Sequence, residues 1–582
     1  MEYPTLKVKQ KSRQMADAFL GYNHNLRIGD TEFFDMKNMT SDYYPVLAPR
    51  NRRGVYKDGI NATGIIAKEK LCYVDGSDFV IGDERIDMDL NDEPKTLISM
   101  GAYVIIMPDR KYINTKKVED WDEIDEVHET TENVTFALCT LTGDEYGDLR
   151  PGEKPAEEDG NVWFDTSTTP PTLKKYSETN ERWVTIATTY VKISSTGIGK
   201  NLKQYDGVEL SGITAKGWEH LNGSHALWGC KDDAIIITGI TQADNDEELE
   251  YSSSNRITVS RKIPIMDYMV ESNNRLWGCR YGANEKGEVV NEIYASKLGD
   301  FKNWDCFMNL STDSYKVSCG TDGPFTGAIT HLGFPLFFKE NCVHKVYGDY
   351  PANFRVQNTA CRGVQRGSHR SLAIVNETLF YKSGGAVCAY DGSLPVEMST
   401  ALGEVRYSDA IAGAHGNKYY ITMKSADGEY HLFVYDTAKG MWHKEDNLQV
   451  DAFCPFLNEM YGIDHVTKHI ITMLGTGTQE SGKVPWMVET GLVGMSTPDM
   501  KYISKLLIRM SLETGASVDV SIQYDSIGDW EKVCQMKMTS LRSFYVPVRP
   551  RRCDHFRIRI QGEGEGRIYS ITKTIEQGSD VS

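Results

Sequence analysis

The sequence predicts an all-β fold: a β-propeller of about six to eight blades, with small β modules inserted and a β-sandwich towards its C-terminal end. Three observations predict it. First, a two-part strand pattern recurs about every forty residues. Its first part is a short apolar strand introduced by a turn residue: Asn274-Arg275-Leu276-Trp277-Gly278, Phe334-Pro335-Leu336-Phe337-Phe338, Asn376-Glu377-Thr378-Leu379-Phe380-Tyr381, Asn417-Lys418-Tyr419-Tyr420-Ile421 and Asn458-Glu459-Met460-Tyr461-Gly462. Its second part is an aromatic strand closing on a turn, as in His344-Lys345-Val346-Tyr347-Gly348 and Leu432-Phe433-Val434-Tyr435-Asp436. Second, beyond Gly477 the segments Tyr502–Arg509, Ser517–Tyr524 and His555–Ile560 alternate polar and apolar residues, the period of half-buried antiparallel strands. Third, no long amphipathic helical pattern occurs.

Taken in order, residues 1–45 read as an extended arm that lies along or closes the ring. Residues 46–114 read as the first part of the propeller: Lys70–Gly76 is a strand and turn, and Ala102–Met107 is an apolar strand stopped by Pro108. Residues 115–200 break the pattern. A loop rich in Gly, Pro, Asp and Glu over 143–160 precedes Gly160-Asn161-Val162-Trp163-Phe164-Asp165-Thr166, Leu173-Lys174-Lys175-Tyr176 and Arg182-Trp183-Val184-Thr185, aromatic strands of an inserted β module. Residues 201–262 read as a second small β insertion, 263–478 as the second part of the propeller, and 479–582 as the sandwich.

The chain has 582 residues and a formal charge of −18. That charge disfavours general attraction to nucleic acid or anionic membrane, yet suits a channel wall along which DNA slides without sticking. The twelve cysteines form no CxxC pair and no zinc-ligand spacing, which reads as buried free thiols. No apolar leader follows the lysine-rich opening, and no apolar run is long enough to span a membrane.

Candidate chemistry is sparse. Gly197-Ile198-Gly199-Lys200-Asn201 departs from a phosphate loop in spacing and lacks the following hydroxyl residue, so it reads as a turn. Asp244–Glu248 has oxygen ligands in a row without the alternation of a calcium loop. No HExxH or GxSxG motif occurs. The expectation is therefore no catalytic residue, no cofactor and no metal, and a chain that is not an enzyme. Two basic clusters stand out in an acidic chain: Arg50, Arg52 and Arg53, and Arg549, Arg551 and Arg552. Both are candidates for DNA-phosphate or inter-subunit contacts, or for salt bridges to the chain's own acidic surface. Trp163, Tyr176 and Trp183 are candidates for stacking on a glycan, or for the core of the inserted module.

Several segments carry a family likeness. Phe19-Leu20-Gly21-Tyr22-Asn23, Asp35-Met36-Lys37-Asn38-Met39 and Tyr44-Pro45-Val46-Leu47-Ala48-Pro49-Arg50 together resemble the opening of tailed-phage and prophage tail proteins of the nozzle or DNA-stabilisation type. Ile293-Tyr294-Ala295-Ser296, followed by Gly299-Asp300 and Asn303-Trp304, is similar to a blade of the same family. The resemblance implies a structural virion component: a propeller-bearing tail subunit in a ring of its own copies around the DNA exit channel. Its implied partners are neighbouring tail or portal/adaptor proteins and, transiently, phage DNA, with no membrane insertion. Its implied location is the virion tail, after synthesis in the host cytoplasm. The alternatives are a tail-tip protein that binds host surface glycan, and a glycan-cleaving propeller with facing carboxylates on its axis.

Overall fold

The computed structural model describes residues 11–577, apart from 132, 148, 243–249, 252–255, 285, 480–481, 497 and 538. Asp244–Glu248 thus lies outside the described residues. The all-β expectation holds: the chain forms a seven-bladed propeller, an inserted β domain and a sandwich.

Six blades are four-stranded sheets, made by residues 62–87, 96–123, 268–318, 327–360, 373–397 and 407–444. The recurring strands of the sequence pattern are the second and third strands of each blade, for example Lys418–Ser425 and Tyr430–Asp436. Their aromatics fill the space between blades: Phe380 stacks on Tyr419 at 5.2 Å, and Trp277 meets Phe354 edge-on at 5.0 Å.

The seventh blade closes the ring. Its strands Val450–Phe456, Glu459–Asp464 and Ile470–Thr472 are completed by Gly54–Lys57, which enters the chain before the first blade. The pairing sets Thr472 opposite Gly54 and Ile470 opposite Lys57. Glycine is required at 54, because a Cβ there would lie 2.0 Å from the Thr476 carbonyl oxygen. Closure thus joins the two ends of the ring by strand pairing, a very non-local contact whose loop entropy is met only once all the blades are in place.

A single side chain braces the axis. Arg370 sits on the short turn His369–Ser371 between the fourth and fifth blades. Its guanidinium donates to the Asp451 carbonyl at 2.9 Å, at the start of the seventh blade, and to the Lys95 carbonyl at 3.4 Å, just before the second. Burial pulls the Arg370 pKa down, with Asp451 opposing. Lys95 is itself held by Asp109 in a fully buried pair at 2.6 Å.

Strand pairing divides the rest differently from the sequence reading. Of the expected arm over 1–45, the described residues 11–45 lie in part against the sixth blade, where Tyr22 meets Phe433 at 5.5 Å and His24 donates its backbone N–H to the Ala401 carbonyl at 2.8 Å, but they also pair into the sandwich. Lys11–Ala16 pairs with Gly566–Gln577, Glu32–Lys37 pairs with Pro485–Thr490, and Gly21–Tyr22 lies beside Glu32–Lys37. These are strands of the sandwich, with Phe33 and Met36 each 1% exposed in its core. Likewise, 115–200 and 201–262 are not two modules. The described residues of 126–261 make three sheets around one core, because Phe136–Leu138 pairs with the 191–193 stretch, which pairs in turn with 235–237, and Phe164 and Leu173 of the third sheet join them. Phe136 stacks on the fully buried Trp218 at 5.1 Å. Residues 117–123 are the outer strand of the second blade.

Replacing Arg370 with alanine leaves two carbonyls unpaired on the axis. Chemical denaturation should show a loss of about 2–3 kcal/mol, the value of a hydrogen-bonded buried charge, with far-ultraviolet circular dichroism unchanged at low denaturant.

Candidate functional site

The structure sorts the sequence candidates into one internal cluster, one exposed cluster and one aromatic face. Arg50 and Arg53 are internal. Arg53 donates to Asp446 at 2.6 Å and to Glu445 at 2.7 Å, and Arg50 donates through Nε to the Asn38 side-chain oxygen at 2.8 Å. Burial opposes the charge on Arg53, but Asp446 and Glu445 outweigh it and push its pKa up. Burial likewise works to raise Asp446, and Arg53 and Arg50 bring it below its ordinary value. These two arginines are therefore corrected from candidate DNA or inter-subunit contacts to internal ion pairs. The carboxylates that neutralise them lie almost four hundred positions away in sequence, which is why the cluster looks free there. Arg52 is half-buried and faces a crevice of 200 Å³ between the seventh blade and the sandwich, with Glu513 and Arg567 on its other side.

Arg549, Arg551 and Arg552 are exposed on the sandwich. Arg551 donates to Glu531 at 2.6 Å and lies 5.0 Å over the Tyr524 ring. An exposed pair of this kind contributes little stability, so the cluster remains open to a partner.

The aromatic candidates come together on a three-stranded sheet made by Val162–Asp165, Thr172–Ser177 and Arg182–Thr185. Trp163 pairs with Lys174, and Tyr176 pairs with Trp183. Directly opposed residues and residues two apart share a face, so Trp163, Lys174, Tyr176 and Trp183 lie on one side. The other side carries Phe164 and Leu173, 2% and 1% exposed, within the core of the inserted domain. The aromatic side therefore points away from that core. Trp183 meets Trp163 edge-on at 5.6 Å and Tyr176 at 5.4 Å. Lys174 and Lys154 stand over the two indoles at 5.0 and 6.0 Å. Lys174 is held by Asp165 at 2.5 Å, and although burial works to raise Asp165, Lys174 and Ser167 bring it down to about 2.

Both tryptophans are half-buried and Tyr176 is buried, with Lys154 of the 150–160 loop over the Trp183 ring and Gly160 donating to the Tyr176 carbonyl at 3.4 Å. The indole nitrogens of Trp163 and Trp183 are buried, and neither has a hydrogen-bond partner among the described residues. Both nitrogens are shielded from solvent, so what this face can offer a ligand is the rings themselves.

Carboxylates gather elsewhere. A crevice of 400 Å³ between the inserted domain and the third blade is lined by Glu209, Glu288 and Asp305 with Lys262, Lys286 and Lys316. Glu209 pairs with Lys286 at 3.0 Å, and Glu292 beside it takes the Tyr294 hydroxyl at 2.6 Å and Lys316 at 3.2 Å. Gly197–Asn201 forms a turn against the 229–231 strand, where a Cβ on Gly199 would meet the Lys231 carbonyl oxygen at 2.1 Å.

No family model matches the chain, and no curated protein matches it. Among solved structures it is similar to an exo-β-1,3-galactanase from Phanerochaete chrysosporium, at 9% identity and a TM-score of 0.21, over 52% of this chain and 94% of that one. It is similar to the phage phi92 endosialidase at 8% identity and a TM-score of 0.19, over 76% of this chain and 64% of that one. A Trypanosoma rangeli sialidase gives 8% identity and a TM-score of 0.19, over 82% and 90%. All three are enzymes by name, and on that finding the expectation of a chain that is not an enzyme is withdrawn. At TM-scores of this size the likeness carries no substrate, site or mechanism over to this chain.

Three histidines, His344 and His443 buried and His369 half-buried, set an acid limit on the fold. Burial lowers His443 from 6.5 to about 3, and His344 and His369 to about 4, with neighbouring lysine or arginine charge adding to the effect. Each favours the folded state while neutral. That stability is fully present above the unfolded value of 6.5 and is lost as pH falls towards the folded values. Denaturation at stepped pH should show stability falling by up to about 1.4 kcal/mol per pH unit for each histidine below pH 6.5. His443→Gln should flatten part of that slope. Asp446, lowered in the fold, adds its loss further down, below its ordinary 3.8.

Proposed function

We propose that this protein is a subunit of a bacteriophage tail whose stiff propeller–sandwich body presents the aromatic face of its inserted domain to a host-surface glycan. The observation that carries the reading is the strand register that turns Trp163, Tyr176 and Trp183 away from the core their own sheet packs on. Flat rings with a quadrupole suit the C–H faces of sugars. The tail setting is supported by the segments Phe19–Asn23, Asp35–Met39 and Asn303-Trp304, which resemble tail proteins of the nozzle type.

A second observation favours assembly with copies of itself around a DNA channel. Within the described residues, Arg542–Val546 pairs on one side only, with Lys501–Leu512, and Leu541 before it and Tyr545 within it are 55% and 53% exposed. An open edge strand of this kind accepts another strand or a packed neighbour, and the exposed Arg549, Arg551 and Arg552 lie just beyond it. Electron microscopy of the protein in a tail extract should then show rings with an axial opening; single propellers throughout would leave only the glycan reading.

Binding of the full chain to arrayed bacterial surface polysaccharides tests the main reading. Trp163→Ala and Trp183→Ala should each weaken binding at least about tenfold, near 1.4 kcal/mol, and shift Tm by less than about 4 °C. Unfolding of both variants, or undiminished binding, would remove it.

A further inference from the structure

We infer that a crevice between the third and fourth blades is a separate binding site for a neutral sugar ring. The crevice encloses 410 Å³, within the range of about 300–1,000 Å³ usual for small-molecule sites. It shares no lining residue with the three-stranded sheet of the inserted domain and does not depend on that sheet's role.

One wall is the loop between the third and fourth strands of the third blade, and its shape is fixed from within. The Asp313 carboxylate, 3% exposed, accepts the backbone N–H of Met308 at 2.5 Å and of Leu310 at 3.0 Å. Behind the loop lies Arg275, 2% exposed, whose guanidinium donates to the carbonyls of Ser296 at 2.8 Å, Asp313 at 2.5 Å and Ser311 at 2.9 Å. A buried guanidinium engaged by backbone carbonyls is a rigid core for a loop. Phe301 and Trp304 earlier in the loop are buried, whereas Phe307 and Leu310 stand 55% and 49% exposed on the rim.

The opposite wall comes from the fourth blade. Tyr350, 44% exposed, precedes the turn Pro351–Asn353, and the Asn353 side-chain oxygen accepts the N–H of both Asp349 and Tyr350 at 3.0 Å. Two aromatic rings thus flank one preformed crevice from two differently braced loops. Preformed walls remove most of the ordering cost of binding, so a weakly held ligand still gains from the contact.

Charge decides what fits. The Asp313 carboxylate is occupied by backbone amides, and Lys316 pairs with Glu292 at 3.2 Å. The remaining polar groups on the surface of the crevice, Asn309 and Ser311, are neutral, exposed, and carry no side-chain hydrogen bond among the described residues. Aromatic walls with an amide and a hydroxyl between them match a ring that has apolar faces and hydroxyl edges. Lys316 is shared with Glu292, so a sialic acid or a phosphate would have to compete with that carboxylate for it, whereas a neutral ring would not.

Saturation-transfer NMR on the full chain provides the test, with methyl glucoside, methyl galactoside, methyl mannoside and N-acetylglucosamine as neutral probes and sialic acid as the anionic one. Transfer to at least one neutral probe is expected. It should fall at least about tenfold in affinity, near 1.4 kcal/mol, for Phe307→Ala and for Tyr350→Ala. Ser311→Trp, which fills the crevice without removing a wall, should abolish it. Trp163→Ala should leave it unchanged, whatever that variant does on the polysaccharide array. The inference is overturned if no neutral probe shows transfer, or if transfer survives all three crevice variants. It is also overturned if transfer is lost only in Trp163→Ala, or if sialic acid binds the crevice in preference. Sedimentation in which Phe307→Ala abolishes self-association, without any sugar signal, would reassign the rim to a contact between copies.

Discussion

The structure depends on one buried ion-pair cluster at the point where the chain's two long-range closures meet. Asn38 follows the sandwich strand Glu32–Lys37, Arg50 and Arg53 precede the ring-closing strand Gly54–Lys57, and Glu445 and Asp446 follow the outer strand of the sixth blade. Asn38 donates its backbone N–H to the Glu445 carbonyl at 2.6 Å and its side-chain amide to the Pro485 carbonyl at 2.8 Å, while its own side-chain oxygen receives Arg50. Sandwich, ring and closing strand therefore share one set of partners. Ion pairs buried this deeply add little net stability over an apolar packing of equal volume, but removing one partner strands a charge in the interior. Their effect here is on register: the closing strand can be placed in only one way that leaves no charge unpaired.

Buried polar contacts of the same kind place the inserted domain. Asn303 donates to the Tyr205 carbonyl at 3.0 Å and accepts the Gly207 N–H at 3.1 Å, beside the buried pair of Arg261 and Asp206 at 2.6 Å. Trp304 turns its indole N–H inward to the Phe301 carbonyl at 2.8 Å. The Asn-Trp step that resembles a family signature thus has a physical role, since it docks the inserted domain on the third blade. A domain held by buried polar contacts at its root, rather than by a flexible linker, keeps the orientation of its aromatic face fixed relative to the body.

What is legible in the sequence follows from where the apolar residues lie. The second and third strands of each blade are sandwiched between neighbouring blades, so they read as apolar and aromatic runs, and their period exposes the propeller. The innermost strands do not stand out. They crowd the axis and use small residues, as in Ala410, Ala412 and Gly413, where a Cβ on Gly413 would lie 2.4 Å from Phe453. The opening stretch reads as an arm because Lys11–Ala16 finds its partner in Ile571–Glu576, at the far end of the chain. No local pattern announces such a pairing. The inserted domain reads as two modules for a similar reason, since Val134 pairs with Tyr251. The aromatic candidates are visible as residues, and period two places them on one face. Only the burial of Phe164 and Leu173 settles which face that is. Phe307 and Leu310 carry a faint signal, two large apolar residues inside a polar loop, whereas the role of Arg275 behind them has no sequence signature.

Rigidity is what links the glycan and ring readings physically. A single sugar ring on one or two aromatic side chains is a weak ligand, and a flexible presenter would weaken it further through the entropy of ordering. Fixing the orientation of the inserted domain removes that second cost. Copies fixed in the proposed ring would add a larger effect, because once one copy was engaged the others would meet a polymeric glycan at a high effective concentration set by their spacing. That gain disappears if the faces can swing independently. A body closed twice over, in the ring and in the sandwich, and locked at Asn38 is therefore suited to weak recognition made strong by number. The charge of −18 is consistent with the proposed division of labour: it disfavours adhesion to anionic surfaces at large, which under that proposal leaves specific contact to the aromatic face.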